Sequence, residues 1–440
     1  MTRVQVIGAG LAGCEAAWQL ARHGVPVTIV EMKPDRFTPA HGSPLFAELV
    51  CSNSLKSDEI TNASGLLKAE MRELDSLIMR AADASRVPAG TALAVDRERF
   101  ASYITDALEE HPLVSVDRRE AVSLPEPPAI IATGPLTAQA LSEALGSLPG
   151  LRKLSFFDAA APILERESLS EERVFAAARY GHGGADYLNC PLAEPEYDAF
   201  RDALLAAQTA PVRGFEEGLL YEGCMPVESI AARGRLALAY GPMRPVGLID
   251  PRTGRRPFAA VQLRAENEGG ALWNMVGFQT RLKWDEQRRV FGMIPGLERA
   301  RFARYGVMHR NTFIDAPSAL SASFETRERR GLYIAGQLTG VEGYLPSAAS
   351  GLAAGIALSQ SVLGREPVTF PPFTAIGALG RYVSSPNRDY QPMGIQYGII
   401  DMPRERFRDK RERARRVAER SLEAIRSVER TLRERRGVEV

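Results

Sequence analysis

The spacing of apolar residues at the start of the chain predicts a strand, a turn, a helix and a second strand. Residues 4–7 form an apolar run that is too short for a helix. The run ends at a G-x-G-x-x-G turn with the sequence Gly8-Ala9-Gly10-Leu11-Ala12-Gly13. An apolar pattern of helical spacing follows, and a second strand is predicted over residues 25–30, closed by Glu31.

The glycines and the acid of this stretch each have a physical role in a dinucleotide site. Gly8 permits the tight turn, Gly10 lets the backbone approach a pyrophosphate, and Gly13 lets the helix lie close to the strand. The free N–H groups at the start of the helix favour the anion, and Glu31 is placed to accept hydrogen bonds from a ribose diol. With both strands, the helix and the acid in place, this stretch predicts a dinucleotide site and leaves NAD and FAD both open.

Two later apolar strands that end in glycine turns favour FAD over NAD. Residues 129–132 lead into Thr133-Gly134, and residues 331–335 lead into Gly336-Gln337. The stretch from there to residue 355 is rich in Gly, Ala and Ser, as a helix packed tightly on a flavin requires. Gln337 stands where many flavoproteins carry Asp, so we expect the carboxylate contact to the ribityl chain to be absent or replaced.

These segments predict an α/β fold with a two-dinucleotide-type Rossmann FAD-binding domain built from discontinuous segments. We place this domain at residues 1–160 and 300–400, an inserted α+β domain at 161–299, and a C-terminal helix at 401–440, packed on the FAD domain. The C-terminal segment carries 14 basic and 9 acidic residues, with apolar side chains at helical spacing. Residues 65–82 predict one further amphipathic helix.

Composition narrows the class of protein and its surroundings. A chain of 440 residues with 45% hydrophobic content suggests two or three domains. The 55 basic and 54 acidic residues nearly cancel, so any nucleic-acid site must be a local patch. Four cysteines without a C-x-x-C pair argue against a disulfide framework or a metal site. With no room for a signal peptide and no eighteen-residue apolar run, we expect a soluble cytoplasmic protein without membrane contact.

Two cysteines lie in segments that suit chemistry. Cys51 stands among small polar residues in a turn-rich stretch after the second strand, where α/β proteins place functional loops. Cys224 lies between a glycine and acidic residues inside the predicted insertion. A buried structural cysteine is the alternative for Cys51.

Basic and aromatic residues alternate in residues 273–284, which include Arg281 and Lys283. Such a segment can stack on and neutralise a nucleic acid, although a strand with a half-buried aromatic face is at least as common. His309 follows near the return to the FAD domain, and a hydrogen-bonded core histidine is its alternative. The glycine-rich stretch 180–191 lacks a strand and a helix on the correct sides, so we do not interpret it as a second nucleotide fingerprint.

Several motifs together resemble the TrmFO family of folate- and FAD-dependent tRNA (uracil-5-)-methyltransferases. Besides the opening fingerprint, they are Glu-Leu-Val-Cys-Ser-Asn-Ser-Leu at 48–55, Tyr-Gly-His-Gly-Gly-Ala-Asp-Tyr at 180–187, Glu-Gly-Cys-Met-Pro-Val-Glu at 222–228, Met-His-Arg-Asn-Thr-Phe at 308–313 and Gly-Gln-Leu-Thr-Gly-Val-Glu-Gly-Tyr at 336–344. The resemblance extends over essentially the whole chain.

The resemblance implies a reaction with three small-molecule participants and an RNA. One carbon from 5,10-methylenetetrahydrofolate would be added to C5 of uridine 54 in the tRNA T-loop. FAD, reduced by NADPH or NADH, would complete the methyl group. The oligomeric state stays open, and a monomer is compatible with the sequence.

The resemblance also suggests roles for the candidate residues. Uracil C5 is a poor nucleophile until a thiolate adds at C6, so Cys224 is the expected nucleophile and Cys51 its partner in proton removal or adduct release. His309 would stack on the pterin ring. Arg281 and Lys283 would contact the tRNA together with the C-terminal helix. Cys14 and Cys190 are expected to be structural.

Three other functions remain open at this point. A related GidA/MnmG flavoprotein, which modifies wobble uridine, would carry a larger C-terminal helical domain. An FAD-dependent disulfide reductase would need two cysteines close in sequence and a second nucleotide fingerprint, neither of which is present. A tRNA-binding protein that holds FAD only structurally is the non-enzymatic alternative.

Overall fold

The helices and strands come from a computed structural model that describes residues 2–148, 151, 153–181, 186–211, 225–388, 390–403, 405, 407 and 409–437. The strands are β1 (Val4–Ile7), β2 (Val27–Glu31), β3 (Ser54–Ser57), β4 (Arg86–Val87), β5 (Ala92–Val95), β6 (Val114–Arg118), β7 (Ala129–Ile131), β8 (Lys153–Ala159), β9 (Ile163–Glu165), β10 (Phe175–Ala176), β11 (Tyr187–Leu192), β12 (Ala259–Ala265), β13 (Leu272–Met275), β14 (Phe302–Arg304), β15 (Met308–Ile314) and β16 (Leu332–Ile334).

The α-helices complete the element order. They are α1 (Leu11–Arg22), α2 (Ala63–Glu73), α3 (Leu77–Ala84), α4 (Arg97–Glu109), α5 (Gln139–Gly146), α6 (Glu194–Leu205), α7 (Val227–Ala232), α8 (Ala237–Tyr240), α9 (Trp284–Phe291), α10 (Ala316–Ala319), α11 (Tyr344–Val362), α12 (Ala375–Ser384) and α13 (Lys410–Arg436). Across the described ranges, none of them is long and apolar enough to cross a membrane.

A parallel sheet gathers three distant parts of the chain. Its strand order is β16-β7-β1-β2-β6, and each neighbouring pair is parallel. Because the strands are parallel, the turns after β1, β7 and β16 all lie at the same edge. The predicted α/β class and the discontinuous dinucleotide-binding fold are therefore confirmed.

The close approach of α1 and α11 depends on two glycines of α11. A Cβ atom at Gly351 would lie 2.1 Å from the Ala12 carbonyl oxygen, and one at Gly355 would lie 2.7 Å from the Ala16 carbonyl oxygen. Only glycine fits at such distances. The Gly-, Ala- and Ser-rich composition therefore lets α11 lie directly on α1, beside the first glycine turn.

A second, antiparallel sheet belongs to the inserted segment. Its order is β10-β11-β12-β13-β9-β14, and one of its faces packs on α6, α7 and α9 around buried residues such as Val261, Leu263 and Met275. The antiparallel pair β8 and β15 connects this segment to the parallel sheet.

Two large hydrophobic cores follow this division of the sheets. One core draws on residues 4–151 and 313–432, and the other on residues 164–302. The separation supports the predicted domain boundaries near residues 160 and 300, which we keep as a proposal. The C-terminal helix α13 contributes Val417, Ile425 and Leu432 to the first core.

The prediction of one helix over residues 65–82 is wrong, because the chain forms α2 and α3 with a break between them. Asp75 adopts a left-handed backbone conformation with φ 58°. Ser76 then caps α3 by accepting a hydrogen bond from the Met79 N–H at 3.2 Å. The buried Glu15 carboxylate of α1 also accepts from the Ser76 hydroxyl and the Ile78 N–H. These tertiary contacts stabilise a helix start that the apolar spacing alone does not reveal.

Glu70 joins α2 to α12 and α13. Its carboxylate accepts hydrogen bonds from the Ala375 N–H at 2.6 Å, the Ile376 N–H at 2.9 Å and the Ser421 hydroxyl. Glu70 is fully buried, and burial raises its pKa to about 7. The negative charge lies at the N-terminus of α12, where the helix dipole favours it.

We expect Glu70→Ala to lower the free energy of unfolding by about 2 kcal/mol or more, because three buried donors lose their acceptor. Denaturant unfolding measures this change. The matched control is Glu73→Ala on the same helix, which removes an exposed pair with Arg426 at 2.7 Å. The control should cost less than about 1 kcal/mol. Equal losses in the two variants would contradict the assigned role of Glu70.

Candidate active site

The first glycine turn lies at the carboxyl end of β1 and has the geometry that a dinucleotide requires. Gly8 has φ +97°, and its N–H donates to the Val30 carbonyl at 2.8 Å. A Cβ at Gly13 would lie 1.8 Å from the Gly8 carbonyl oxygen, so α1 can approach β1 only with glycine there. A Cβ at Gly10 would meet no protein atom within 4 Å. The space beside Gly10 is therefore open to a ligand.

The N-terminus of α1 faces this open space. Gly10 is its N-cap, no side chain caps the helix, and its first turn contains no acidic residue. The N–H groups of Leu11, Ala12 and Gly13 therefore remain available for an anion, which the helix dipole also favours.

Glu31 lies beside the same turn, at the end of β2. It is 7% exposed, and its two oxygens accept from the Ala9 N–H at 2.7 Å and the Lys33 N–H at 2.9 Å. A carboxylate oxygen has more than one lone pair, so these bonds leave capacity for ribose hydroxyl groups.

A groove with about 390 Å³ of free space runs along the carboxyl edge of the parallel sheet. It is lined by residues at the ends of β1 and β2 and by residues that follow β1, β2, β6 and β7: Ile7, Gly8, Val30, Glu31, Met32, Arg119, Glu120, Ala121, Thr133, Leu136, Thr137, Ala138 and Leu141. The lining brings together Gly8, Glu31 and Thr133, which the sequence placed in one cofactor site. It also includes Arg119 to Ala121, which sequence reasoning did not identify.

The third predicted turn, at Gly336, lies at the same sheet edge. Gly336 has φ +82°, and its N–H donates to the Ser350 hydroxyl at 2.7 Å. The Gln337 amide donates to the Glu342 carboxylate at 2.9 Å, and Glu342 is 6% exposed. A carboxylate is thus present next to Gln337, and whether it replaces the Asp that many flavoproteins carry at this position stays a prediction.

The loop that carries Cys51 is fixed to the start of α11. The Tyr344 hydroxyl oxygen accepts from the Cys51 N–H at 2.7 Å and from the Ser52 N–H at 3.1 Å. Burial raises the pKa of Tyr344, and the neighbouring Cys51 contributes in the same direction. Tyr344 begins the helix that follows the third glycine turn, so these contacts bind the loop of the half-buried Cys51 to the start of α11.

Two arginines also hold this loop, Arg97 from a helix of the parallel-sheet core and Arg264 from the antiparallel sheet. Arg97 of α4 donates to the Leu49 carbonyl at 2.6 Å. Arg264 of β12 donates to the Ser52 hydroxyl at 2.7 Å and to the Asn53 amide oxygen at 2.9 Å. Cys51 therefore lies between the parallel-sheet core and the antiparallel sheet.

The remaining cysteines divide into two groups. Cys14 and Cys190 are buried, and burial raises the pKa of both thiols, so they stay protonated and unreactive at neutral pH. Cys224 lies outside the described residues. Within the described ranges, no group of three or more His, Cys, Asp or Glu side chains can hold a metal ion.

The other predicted site residues lie on the inserted segment and its return. His309 is on β15, where its backbone pairs with Asp158 of β8. The Arg281 N–H donates to the buried Glu228 carboxylate at 2.9 Å, and its guanidinium lies 3.9 Å from the same side chain. Lys283 donates to the Gln208 side chain at 2.8 Å on the surface. None of these contacts tests the predicted folate or tRNA roles.

Comparison with known proteins places the chain in a family. A protein-family model described as glucose inhibited division protein A matches residues 3–366. A TrmFO methylenetetrahydrofolate–tRNA-(uracil-5-)-methyltransferase of Desulforudis audaxviator is 56% identical over 425 residues, which cover 96% of this chain and 97% of the relative. The TrmFO protein of Listeria innocua is 53% identical over 426 residues, covering 97% and 98% of the two chains. The chain belongs to the TrmFO family.

A solved structure agrees with the fold of this TrmFO chain. Aquifex aeolicus GidA superposes with a TM-score of 0.70 at 15% identity, and the match covers 98% of this chain and 73% of that protein. At this identity the likeness concerns the fold only. The match leaves about a quarter of GidA uncovered, so GidA is the longer protein.

Several residues around Cys51 in this TrmFO chain escaped sequence reasoning. Tyr344 stood inside a quoted motif, but its contact with Cys51 links positions 293 residues apart. Arg97 and Arg264 occur in ordinary helix and strand patterns, and nothing in the local sequence distinguishes them from surface arginines. Only the packing of the two sheets against the loop shows their role.

Substitutions at Gly10 and Gly13 give a matched test of the dinucleotide cradle, which is the first glycine turn together with the N-terminus of α1 and Glu31. Gly10 has φ −75°, which alanine adopts readily, so Gly10→Ala should fold like the wild type. Its methyl group would occupy the space beside the helix N-terminus, and we expect bound dinucleotide to be lost. Gly13→Ala should instead lower stability by about 1–3 kcal/mol, because its Cβ would clash with backbone.

The measurements are thermal unfolding and the nucleotide released when each purified variant is denatured. Full retention of the nucleotide by Gly10→Ala would show that the pyrophosphate does not bind beside this helix.

Proposed function

We propose that the protein methylates C5 of uridine 54 in the tRNA T-loop. The one-carbon unit comes from 5,10-methylenetetrahydrofolate, and FAD is reduced by NADPH or NADH. The names of the TrmFO relatives specify the folate and uracil-5-methylation of tRNA. The choice of uridine 54, the reductant and the residue roles are our inferences. Since tRNA and reduced folate are its substrates, we place the reaction in the cytoplasm.

One observation carries this proposal: the Cys51 loop is bound to the start of the helix that follows the third glycine turn. Tyr344 accepts a hydrogen bond from the backbone of Cys51 and begins α11, eight residues after Gly336. The turn that would hold the flavin is therefore linked to the loop that carries the thiol. Methylation that uses both a thiol and a reduced flavin needs this proximity.

The residues of the cradle fit FAD. The N–H groups at the start of α1 would bind the pyrophosphate, Glu31 the adenosine ribose, and the Thr133-Gly134 and Gly336-Gln337 turns the remainder. When bound, FAD supplies the reducing equivalents that convert the transferred carbon into a methyl group. The protein's own groups fix its position and exclude water.

The thiols supply the activation of uracil. A thiolate that adds to C6 moves the ring electrons toward O4, which makes C5 nucleophilic toward the one-carbon unit. A base must then remove the C5 proton, and the C6–S bond must break to restore the ring. We assign the addition to Cys224 and the proton removal or adduct release to Cys51.

The activity is tested by incubating the purified protein with undermodified tRNA and labelled 5,10-methylenetetrahydrofolate, followed by mapping of the labelled nucleoside. We expect label at position 54 with the wild type and none with Cys224→Ala, because nothing else proposed here activates C5. Cys51→Ala should also lose turnover, but after the C6 addition.

A T-loop RNA containing 5-fluorouridine separates the two thiols, because fluorine at C5 cannot leave as a proton does. A covalent complex should accumulate with the wild type and be absent with Cys224→Ala. The buried Cys14 serves as the control, and Cys14→Ala should behave like the wild type. An adduct that persists in Cys224→Ala and disappears in Cys51→Ala would exchange the two roles.

An aromatic column supports the predicted RNA contact near Arg281 and Lys283. Trp284 is 59% exposed and stacks on Tyr305, with ring centroids 5.2 Å apart. Tyr305 in turn stacks on Phe302 at 5.0 Å, and the Arg288 guanidinium lies 5.7 Å from the Tyr305 ring. An exposed ring with neighbouring cations is what an unpaired base can stack on.

We expect Trp284→Ala to weaken tRNA binding about five- to 150-fold, the range for losing one stacked base. Charge reversal of Arg281 and Lys283 should also weaken binding and reduce its salt dependence. The control is Tyr240→Ala, which removes another exposed aromatic side chain, 79% exposed, from the same segment. Affinities measured by filter binding over a salt series test this. Equal affinities for the Trp284 and Tyr240 variants would place the RNA elsewhere.

A further inference from the structure

One face of the antiparallel sheet is apolar, and the other, here called the polar face, carries several buried polar side chains. Along β12, Val261 and Leu263 point into the apolar core, whereas Gln262 and Arg264 alternate with them. Gln262 and Arg264 are only 8% and 6% exposed. Their face looks toward the Cys51 loop, because Arg264 binds Ser52 and Asn53. Buried polar side chains are costly unless each finds a hydrogen-bond partner, so any donor on this face that lacks one needs an explanation.

Strand register extends the polar face across four strands. Arg264 of β12 lies opposite Asn274 of β13, Asn274 lies opposite Ile163 of β9, and Ile163 lies opposite Arg304 of β14. Side chains of directly opposed residues point to the same side of a sheet. Arg264, Asn274 and Arg304 therefore share one face.

A β-bulge turns Arg304 toward this face. Phe302 pairs with Leu164 and Arg304 pairs with Ile163, so the register shifts between them. Without the shift, Phe302 and Arg304 would point to the same side. Phe302 instead packs on the apolar core with Leu164. Bulges that redirect one side chain are common beside functional sites.

The resulting cluster of Arg97, Arg264 and Arg304 carries more positive than negative charge. Arg97 and Arg304 each direct a guanidinium nitrogen to the Cys51 carbonyl oxygen, 3.4 Å away. Among the described residues, Glu266 is the carboxylate that interacts with all three, and it lies 2.5 Å from Arg97. Burial and then the charge of Arg97 lower the pKa of Arg304. Three cations therefore share one anion.

Two donors of the polar face have no hydrogen-bond acceptor among the described residues. They are the Asn274 side-chain amide nitrogen and the Arg304 Nε atom. Asn274 is 3% exposed, so water does not readily compensate its amide. A buried amide without an acceptor, on the same sheet face as two arginines, indicates a position where an acceptor from a ligand belongs.

We propose that Arg97, Arg264, Asn274 and Arg304 form a phosphate-binding subsite beside Cys51. The donors come from a helix and three different strands, and guanidinium groups bind the oxygens of a phosphate with strong charge-assisted hydrogen bonds. The existence of the subsite does not depend on the proposed function, but the identity of the molecule that carries the phosphate rests on it.

Two phosphate carriers take part in the proposed reaction. One is the RNA backbone beside the target uridine, since the C6 atom of a pyrimidine nucleotide lies on the side of its 5′-phosphate. The other is the phosphate of the nicotinamide cofactor, which must bring its ring to the flavin without a nucleotide fingerprint of its own. Both would direct a phosphate to the Cys51 end of the site.

The first experiment measures binding of inorganic phosphate to the FAD-loaded protein by calorimetry, at constant ionic strength set with chloride. We expect Arg304→Gln to weaken binding by about tenfold to a hundredfold, the effect of losing a hydrogen bond to a charged group. Asn274→Ala should weaken it less. Arg301→Gln is the matched control, because Arg301 is 56% exposed and pairs with Glu165 on the surface. No binding to the wild type, or equal binding to all variants, overturns the subsite.

The second experiment identifies the carrier with the same variants. If the phosphate belongs to the nicotinamide cofactor, Arg304→Gln raises the NADPH concentration needed for anaerobic flavin reduction, measured without RNA. If the phosphate belongs to the RNA, Arg304→Gln leaves flavin reduction by NADPH unchanged. The same variant then raises the KM for tRNA in an assay that starts from photoreduced flavin. A third outcome is that p-aminobenzoylglutamate inhibits phosphate binding while Arg304→Gln changes neither flavin reduction nor the KM for tRNA. That outcome would show that the site binds the folate tail, and it would overturn the proposal.

Failure of the phosphate subsite can be distinguished from failure of the proposed methylation. A wild-type protein that binds phosphate and is reduced by NADPH, but never methylates tRNA, would reject the methylation and leave the subsite intact.

Discussion

Parallel pairing of three distant chain segments is the constraint on which the rest of the structure depends. β7 pairs in parallel with β1 on one side and with β16 on the other, so the turns after residues 7, 131 and 334 share one edge. Parallel neighbours need long crossovers, and here the crossover between β7 and β16 contains the whole antiparallel sheet. The insertion is thereby attached next to the cofactor edge. The close contact of α11 with α1, through Gly351 and Gly355, then fixes where the third turn and Tyr344 lie.

The Cys51 loop lies between two separate hydrophobic cores, and this position explains its many polar contacts. Tyr344 holds the loop from the parallel-sheet side, and Arg264 holds it from the antiparallel sheet. A loop with buried backbone must have its N–H and C=O groups paired, and side chains from both cores provide the partners. The thiol thus stays half-buried and oriented, while Cys14 and Cys190 are enclosed in the two cores.

Charge is used differently in the two cores. In the first core, single carboxylates such as Glu15, Glu31 and Glu70 accept hydrogen bonds from backbone N–H groups, so each buried charge is compensated locally. At the face of the second sheet, arginines outnumber the carboxylates that reach them, and the Asn274 amide lacks an acceptor. The first arrangement stabilises the fold. The second is arranged for an anion that arrives with a ligand.

The sequence by itself determined the cofactor domain, because its rules are local. Gly8, Gly10 and Gly13 are required by the backbone geometry of one turn, and Glu31 follows at the end of the next strand. The apolar strands before Thr133 and Gly336 were found for the same reason. Tertiary structure alone decided the break at Asp75, the contact of Tyr344 with Cys51 and the arginine face. Each of these depends on contacts between residues far apart in the chain, and on a register shift at Arg304 that local spacing does not encode.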